Sequence, residues 1–243
     1  HIMPRTGGEP KRVTSETTRD LAGYFWKSDD RIVYLRDIDG DENWHLYSVD
    51  RNGENLIDMT PFDDVTVDIV DDLEDHHSDM LISMNKRNKE IFDVYRLNVF
   101  TGEMKMVAEN PGNITGWNTD HDGKIRVATT TDGVSSTLLY RETEQDAFKP
   151  VITTNFKESV SPLFFTLDNK HLYCSSNLGR DKAAIVRFDI AAGKELEELF
   201  LHPDVDTSNL SYSHKRKVLT AISFVTWKRE RVFLDEDLEI MFE

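Results

Sequence analysis

Short runs of alternating apolar and polar residues, separated by turn-forming residues, dominate the sequence. The first four runs cover residues 21–26, 31–37, 44–50 and 54–60. An alternation with a period of two, interrupted by Gly, Asp and Asn, is typical of antiparallel strands. The pairs Asn52-Gly53 and Asp39-Gly40 can supply the positive φ that tight hairpins require. This stretch therefore predicts four strands joined by hairpins, and no segment of the chain has a convincing helical period.

The four-run unit recurs along the chain with a period of about 46 residues. Gly53, Gly102 and Gly193 occupy the corresponding turn in three of the copies. A second marker, the start of an apolar run after a polar turn, repeats at the same spacing at Ile32, Leu81, Ile125, Leu172 and Val218. Units of four strands with this period are typical of β-propeller blades. We predict an all-β protein made of about five four-stranded antiparallel blades.

The repeat also predicts where each blade begins and ends. The predicted blades are residues 21–62, 65–112, 113–159, 160–204 and 205–243, and in the fifth blade the predicted strands are 208–213, 217–224, 229–235 and 238–243. Residues 1–20 precede the repeat and are rich in Gly, Pro, Thr and charge, which predicts a poorly ordered arm. The first three residues, His1-Ile2-Met3, resemble a cloning remnant.

Composition narrows the function classes. With 243 residues and 38% hydrophobic content the chain can form a core, and a net charge of -16 argues against nucleic acid as a partner. The basic turn at Lys215-Arg216-Lys217 is interpreted as a solvated surface. No apolar run approaches the roughly 18 residues of a membrane span. Cys174 is the only cysteine, so no intramolecular disulfide can form, and a cytoplasmic location is expected, with the periplasm as the alternative.

Two acidic segments were considered as metal sites. In residues 37–43, DIDGDEN, the alternating carboxylates are similar to a calcium loop, but Gly40 stands at the fourth place and Ser48 replaces the glutamate needed at the twelfth. In residues 71–79, His76 and His77 are adjacent. Because adjacent strand residues point to opposite faces, these two imidazoles cannot easily bind the same metal ion. Both segments are interpreted as solvated turns, and no metal or other cofactor is predicted.

Catalytic residues are also not predicted. A serine hydrolase of the α/β type needs the pentapeptide G-x-S-x-G, and Gly133-Val134-Ser135 begins one that Thr137 interrupts. Cys174 lies in an apolar strand and is interpreted as an inert core thiol. The predicted inner strands offer Asp68 as their single carboxylate, which disfavours a sugar-processing propeller. We expect the chain alone to be non-catalytic.

Residues 39–62, DGDENWHLYSVDRNGENLIDMTPF, closely resemble a blade of the prolyl oligopeptidase family of serine peptidases, in the branch of bacterial acylaminoacyl peptidases and dipeptidyl aminopeptidases. Residues 175–200 and 211–237 are similar to later blades of those proteins. The stretch Asn43-Trp44-His45-Leu46-Tyr47 is the most specific part of the resemblance. The remaining pattern is shared with TolB-like and WD-repeat modules, although no blade has the Trp-Asp dipeptide of WD repeats.

The resemblance implies a seven- or eight-bladed propeller that covers an α/β-hydrolase domain, which carries the Ser-Asp-His triad and lies C-terminal to the propeller. This chain would then be a truncated propeller that gates the access of short peptides to a hydrolase domain it lacks. Glu197-Glu198 is the nearest match to the glutamate pair that binds the substrate amino terminus in dipeptidyl peptidases, but its aromatic context is missing and the role is not carried over. The alternative is a free-standing propeller that binds a protein or peptide.

A fragment of a larger propeller would leave an uncovered face on its first and last blades. Large apolar patches are rarely left exposed on soluble monomers. We therefore expect self-association through the end blades, or closure into a five-bladed ring. The residues expected to be exposed there are Phe25, Ile32, Phe224 and Phe233.

Overall fold

The computed structural model describes residues 1–17 and 20–242, and within these ranges the fold is five antiparallel sheets. Each sheet is built from consecutive strands that pair in sequence order. The first sheet contains β1 (Gly23–Trp26), β2 (Arg31–Arg36), β3 (His45–Asp50) and β4 (Ile57–Asp58). The second contains β5 (Val67–Asp71), β6 (Asp79–Asn88), β7 (Ile91–Asn98) and β8 (Met104–Ala108). These two sheets form one compact unit, His1–Gly112.

The second compact unit, Asn113–Glu243, contains the other three sheets. The third sheet consists of β9 (Ile114–Thr119), β10 (Ile125–Thr131), β11 (Ser136–Tyr140) and β12 (Lys149–Thr154). The fourth consists of β13 (Val160–Phe165), β14 (Leu172–Ser176), β15 (Ala184–Asp189) and β16 (Lys194–Phe200). The fifth consists of β17 (Thr207–Ser213), β18 (Val218–Val225) and β19 (Arg229–Phe233), followed by α1 (Glu236–Phe242). The predicted all-β propeller fold with five antiparallel blades is confirmed.

The fourth strand predicted at residues 238–243 is wrong for the part that the structure describes, because residues up to Phe242 form the helix α1; Glu243 lies outside the described residues. Local capping explains the difference. The backbone N–H groups of Leu238 and Glu239 donate to the Asp235 carbonyl, and the first turn contains Glu236, Asp237 and Glu239. Acidic side chains stabilise a helix N-terminus. Arg216 also pairs with Asp235 and Asp237.

Alternating side chains of the first sheet pack into two different clusters. Val33 and Leu46 face the second sheet and join an apolar core that includes Met80, Ile82 and Leu97. On the opposite face Ile32, Tyr34, Tyr47 and Val49 pack with Val13 of the N-terminal arm. In the second unit, similar cores lie between the third and fourth sheets and between the fourth and fifth. Successive side chains of these strands therefore point to opposite faces of the sheet, and both faces are buried.

The arm is more ordered than its composition predicts. Val13 is buried, Ile2 pairs with Lys11 in an isolated bridge, and Glu16 forms an ion pair with Arg36. The arm approaches the turn between β3 and β4 so closely that a Cβ on Gly53 would lie 3.1 Å from the Val13 carbonyl oxygen. Gly53 has a φ of 83°, so this turn requires glycine for both backbone conformation and space.

The expected apolar end faces are also corrected. Ile32 and Phe224 are buried, while Phe25 and Phe233 are half-buried. Ile32 lies under the arm, and Phe25 packs into the core between the first two sheets. On the face of the fifth sheet that does not pack against the fourth, Phe233 contacts Phe242 of α1, and the polar side chains of Asn209, Ser211, Ser223, Arg229 and Arg231 lie on the same face. Self-association stays a prediction, but these four apolar side chains are not its exposed surface.

Candidate functional site

A cluster of histidine and aromatic side chains lies where the first strands of the third, fourth and fifth sheets end. His121 follows β9, Phe164 and Phe165 end β13, and Tyr212 and His214 lie at the end of β17. These strands are the edge strands of their sheets and correspond to the inner strands predicted from the sequence. Three blades therefore contribute side chains to one site within the second unit.

The Tyr212 hydroxyl is the centre of the cluster. Its oxygen lies 3.1 Å from Nδ1 of His214 and 3.5 Å from Nδ1 of His121. Nε2 of His121 lies 2.9 Å from the Phe165 carbonyl oxygen, which can only accept a hydrogen bond, so this nitrogen carries the proton. Nδ1 of His121 is then an acceptor. One consistent arrangement has His214 donating to Tyr212, Tyr212 to His121 and His121 to the carbonyl.

Aromatic contacts fix the rings of this site. The Tyr212 ring lies 4.6 Å from Phe164 and 4.2 Å from His214, measured between ring centroids. Phe164 in turn contacts Tyr173 at 5.5 Å. The backbone N–H of His121 donates to Oδ1 of Asn169 at 2.9 Å, which ties the β9–β10 turn to the fourth sheet. All of the four side chains His121, Phe164, Tyr212 and His214 are half-buried.

The chemical character of the cluster is that of a binding surface. Half-buried aromatic faces offer apolar contact, and imidazole and phenol groups offer hydrogen bonds to peptide carbonyl or carboxylate groups. Within the described residues, no group of three or more His, Cys, Asp and Glu side chains is arranged to hold a metal ion. The cluster was not predicted from the sequence, because Tyr212 and His121 are 91 residues apart and only the fold brings them together. The signal available was their shared place in the repeat, at or just after the end of the first strand of a blade.

The candidates considered from the sequence lie elsewhere. Cys174 is fully buried in β14, and burial raises the pKa of its thiol, which agrees with an inert core residue. Asp68 is exposed on β5. Glu197 and Glu198 lie on the edge strand β16, where Glu197 pairs with Arg187 and Glu198 with Arg180. A glutamate pair held by arginines on an edge strand is not arranged for an amino terminus.

The two acidic segments have structural roles. In residues 37–43, Asp41 accepts hydrogen bonds from the backbone of Ile38 and from Asn43, so its oxygens stabilise the turn. In residues 71–79, the buried Lys27 donates to the carbonyls of Leu73, at 2.8 Å, and of His76. Burial lowers the pKa of Lys27. Residues 71–79 form a turn in which Asp72, Glu74, Asp75 and His77 are exposed, as interpreted from the sequence, and the buried ammonium group of Lys27 in addition holds its backbone.

Other buried polar groups link neighbouring sheets. Arg31 donates to the Val99 carbonyl at 3.1 Å and to Asp50 at 2.6 Å. Arg126 donates to the Asn169 carbonyl at 3.0 Å. Burial raises the pKa of Tyr140 to about 12, and Glu142 contributes by accepting its hydrogen bond. The Arg126 contact links the third and fourth sheets, which both carry residues of the cluster.

Comparison with known proteins gives sequence relatives that are peptidases. No family model matches the chain. Dipeptidyl aminopeptidase BIII of Pseudoxanthomonas mexicana is 32% identical over 195 residues, which cover 76% of this chain and 27% of that protein. Dipeptidyl peptidase family member 6 of Caenorhabditis elegans is 24% identical over 247 residues, covering 93% of this chain and 33% of that protein. The chain thus spans about a quarter to a third of the length of these curated relatives.

Solved structures with the same fold include TolB from Acinetobacter baumannii, with a TM-score of 0.58, 15% identity and coverage of 87% of this chain and 51% of that chain. A structure from a study of two prolyl endopeptidases has a TM-score of 0.53 and 16% identity, and the match covers 89% of this chain and 32% of that one. Identities this low support the fold alone. The sequence match to dipeptidyl aminopeptidase BIII shows that the chain belongs, as a β-propeller, to the prolyl oligopeptidase family of serine peptidases.

Proposed function

We propose that this propeller gates the access of short peptides to an α/β-hydrolase domain of the same polypeptide. The observation that carries the proposal is the 32% identity to dipeptidyl aminopeptidase BIII across most of the chain. In this proposal the hydrolase domain is the principal partner and supplies the catalytic serine, while the propeller selects what reaches it. The proposed location is the cytoplasm, on the basis of the single cysteine.

The cluster around Tyr212 is the proposed contact for the passing peptide. Its aromatic faces suit apolar peptide side chains, and its hydrogen-bonding groups suit main-chain carbonyls. Phe164, Tyr212 and His214 come from neighbouring blades, so one peptide could contact all of them. Binding here, away from the reacting bond, would orient a substrate without contributing a catalytic residue.

A free-standing interaction propeller is the second candidate, and the TolB-like fold is compatible with it. The two candidates differ in the reading frame that follows the codon of Glu243. A peptidase predicts a downstream G-x-S-x-G elbow followed by Asp and then His, within an α/β pattern. A stop codon without a hydrolase domain would contradict the peptidase proposal and favour the interaction module. Sequencing the encoding gene decides between them.

A further inference from the structure

Three potential metal ligands converge in the cluster around Tyr212. Nδ1 of His214 lies 3.1 Å from the phenol oxygen, and Nδ1 of His121, from another blade, lies 3.5 Å from the same oxygen. Imidazole nitrogens bind divalent transition-metal ions such as Cu²⁺, Ni²⁺ and Zn²⁺. A phenol supplies the third donor, so the set differs from a group made only of His, Cys, Asp and Glu side chains. All three side chains are half-buried, which leaves them within reach of a dissolved ion.

A hydrogen bond on the far side of its ring prepares His121 to act as a ligand. Its Nε2–H donates to the Phe165 carbonyl oxygen at 2.9 Å, which fixes the tautomer and leaves a lone pair on Nδ1. Metal-binding histidines almost always donate their other ring N–H to a carbonyl, a carboxylate or a water in this way. The backbone N–H of His121 also donates to Asn169 at 2.9 Å. The lone pair is therefore held in the direction of the phenol oxygen.

Packing also holds the other two donors in place. Tyr212 and His214 are two residues apart at the end of β17, so their side chains project from the same face of the fifth sheet. Their rings lie 4.2 Å apart between centroids, and Phe164 supports the Tyr212 ring at 4.6 Å. Contacts of this kind restrict the rotamers of the donors, which reduces the entropy lost when an ion binds. The three donors are thus brought together by the fold itself.

The spacing of the donors favours a square-planar ion over a tetrahedral one. The imidazole rings of His121 and His214 lie 6.5 Å apart between centroids. With metal–nitrogen bonds of about 2.0–2.1 Å and a ring centre about 1.2 Å beyond the nitrogen, two imidazoles on opposite sides of an ion have centroids about 6.4 Å apart, against about 5.3 Å at two corners of a tetrahedron. The phenol oxygen, near both nitrogens, then occupies the position between them. Square-planar sites with nitrogen and oxygen ligands select Cu²⁺ or Ni²⁺, and Cu²⁺ binds more tightly.

We propose that His121, Tyr212 and His214 bind one Cu²⁺ ion, with the two Nδ1 atoms on opposite sides and the phenol oxygen between them. When the oxygen–metal bond forms, the phenol proton is released to solvent, and His214 carries its ring proton on Nε2. The fourth position of the square is open to water or to a carbonyl or carboxylate oxygen of a peptide. The inference does not depend on the proposed peptidase function, because this chain supplies all three ligands.

The test titrates the intact chain with Cu²⁺ and follows visible absorption and electron paramagnetic resonance. We expect saturable binding of one ion with the spectrum of a tetragonal copper site, together with an absorption band for charge transfer from the phenolate to copper. This band identifies the tyrosine ligand, which copper bound elsewhere on the chain lacks. A parallel titration with Zn²⁺ should give weaker binding, as the general affinity order of these ions predicts.

Single substitutions identify the ligands. Tyr212→Phe removes the oxygen and keeps the ring, so the charge-transfer band should disappear and the affinity for Cu²⁺ should fall about 10-fold or more. His121→Ala should reduce the affinity at least as much. The matched control is His77→Ala, an exposed histidine of the first unit, which should leave both the band and the affinity unchanged. Circular dichroism checks folding, and if His121→Ala does not fold, the comparison of Tyr212→Phe with the unmodified chain still decides the question.

Several results would overturn the proposal. Absence of saturable binding at about 0.1 mM Cu²⁺ would exclude a site of useful affinity. Binding without the charge-transfer band, or with the same affinity in Tyr212→Phe, would place the ion elsewhere on the chain. An equal loss in His77→Ala would contradict the assignment in the same way. None of these results bears on the peptidase proposal, which is tested by the reading frame after Glu243.

Discussion

Lys27 illustrates how a single side chain can organise a neighbouring blade. Its ammonium group donates to two carbonyls of the second sheet's loop, Leu73 and His76. Replacement by Met should destabilise the protein by about 2–4 kcal/mol, because one buried and one partly buried carbonyl lose a charged donor. Urea unfolding measures the loss. The matched control is the exposed Lys105→Met, for which a change within about 0.5 kcal/mol is expected; equal losses in both variants would contradict the role of Lys27.

Tyr212 allows a test of the candidate site at the level of one atom. In the longer protein that includes the hydrolase domain, Tyr212→Phe should raise KM for a short peptide about 3- to 10-fold and leave kcat unchanged, since it removes a hydrogen-bonding hydroxyl that contributes about 0.5–1.5 kcal/mol. Tyr24→Phe, on an exposed tyrosine of the first sheet, is the control. A fall in kcat with unchanged KM would place Tyr212 outside peptide binding.

Residue patterns predicted turns better than side-chain sites. The turn glycines Gly40 and Gly53 were predicted from Asp-Gly and Asn-Gly pairs and both adopt positive φ, as do Gly123 and Gly133, each of which also follows an Asp. Within the stretch that carries the family resemblance most specifically, Tyr47 is buried while Trp44 is half-buried. Lys27 and the Tyr212 cluster could not be found in the same way, because their partners belong to other blades and depend on tertiary packing.

At the scale of elements, the repeat located the strands and missed one helix. The alternation in residues 238–243 fits a strand, but a short acidic segment after Asp235 also fits a helix start. The backbone hydrogen bonds from Leu238 and Glu239 to the Asp235 carbonyl show that local capping favours the helix. The arm shows the opposite effect, since its composition suggested disorder while burial of Val13 gives it a fixed position.

The arm also leads to a stability prediction. Val13→Ser should destabilise the protein by about 1–2 kcal/mol, because the side chain leaves a cluster with Ile32, Tyr34 and Tyr47. Exposure of these side chains should also increase the binding of a hydrophobic dye. Val134→Ser, at an exposed turn, should change neither property. Equal behaviour of the two variants would mean that the arm does not cover the first sheet in solution.

At the scale of the whole molecule, the described residues include the Tyr212 cluster and buried polar side chains that link neighbouring sheets, and the thiol of Cys174 is buried. Across the described residues, no helix has the length and apolar character of a membrane span. We expect the purified chain to hydrolyse neither aminoacyl nor acyl-aminoacyl chromogenic substrates, because enzymes depend on activated groups for accelerations of about 10⁶-fold or more. Stoichiometric labelling by a fluorophosphonate would contradict this expectation.

The central claim is that the propeller limits which peptides reach the hydrolase domain. The most direct measurement compares kcat/KM for a tripeptide and for a peptide of about 40 residues with the same cleavable end, in the longer protein and in its isolated hydrolase domain. The account predicts a strong preference for the tripeptide in the longer protein and a reduced preference once the propeller is removed. An equal preference in both proteins would contradict it.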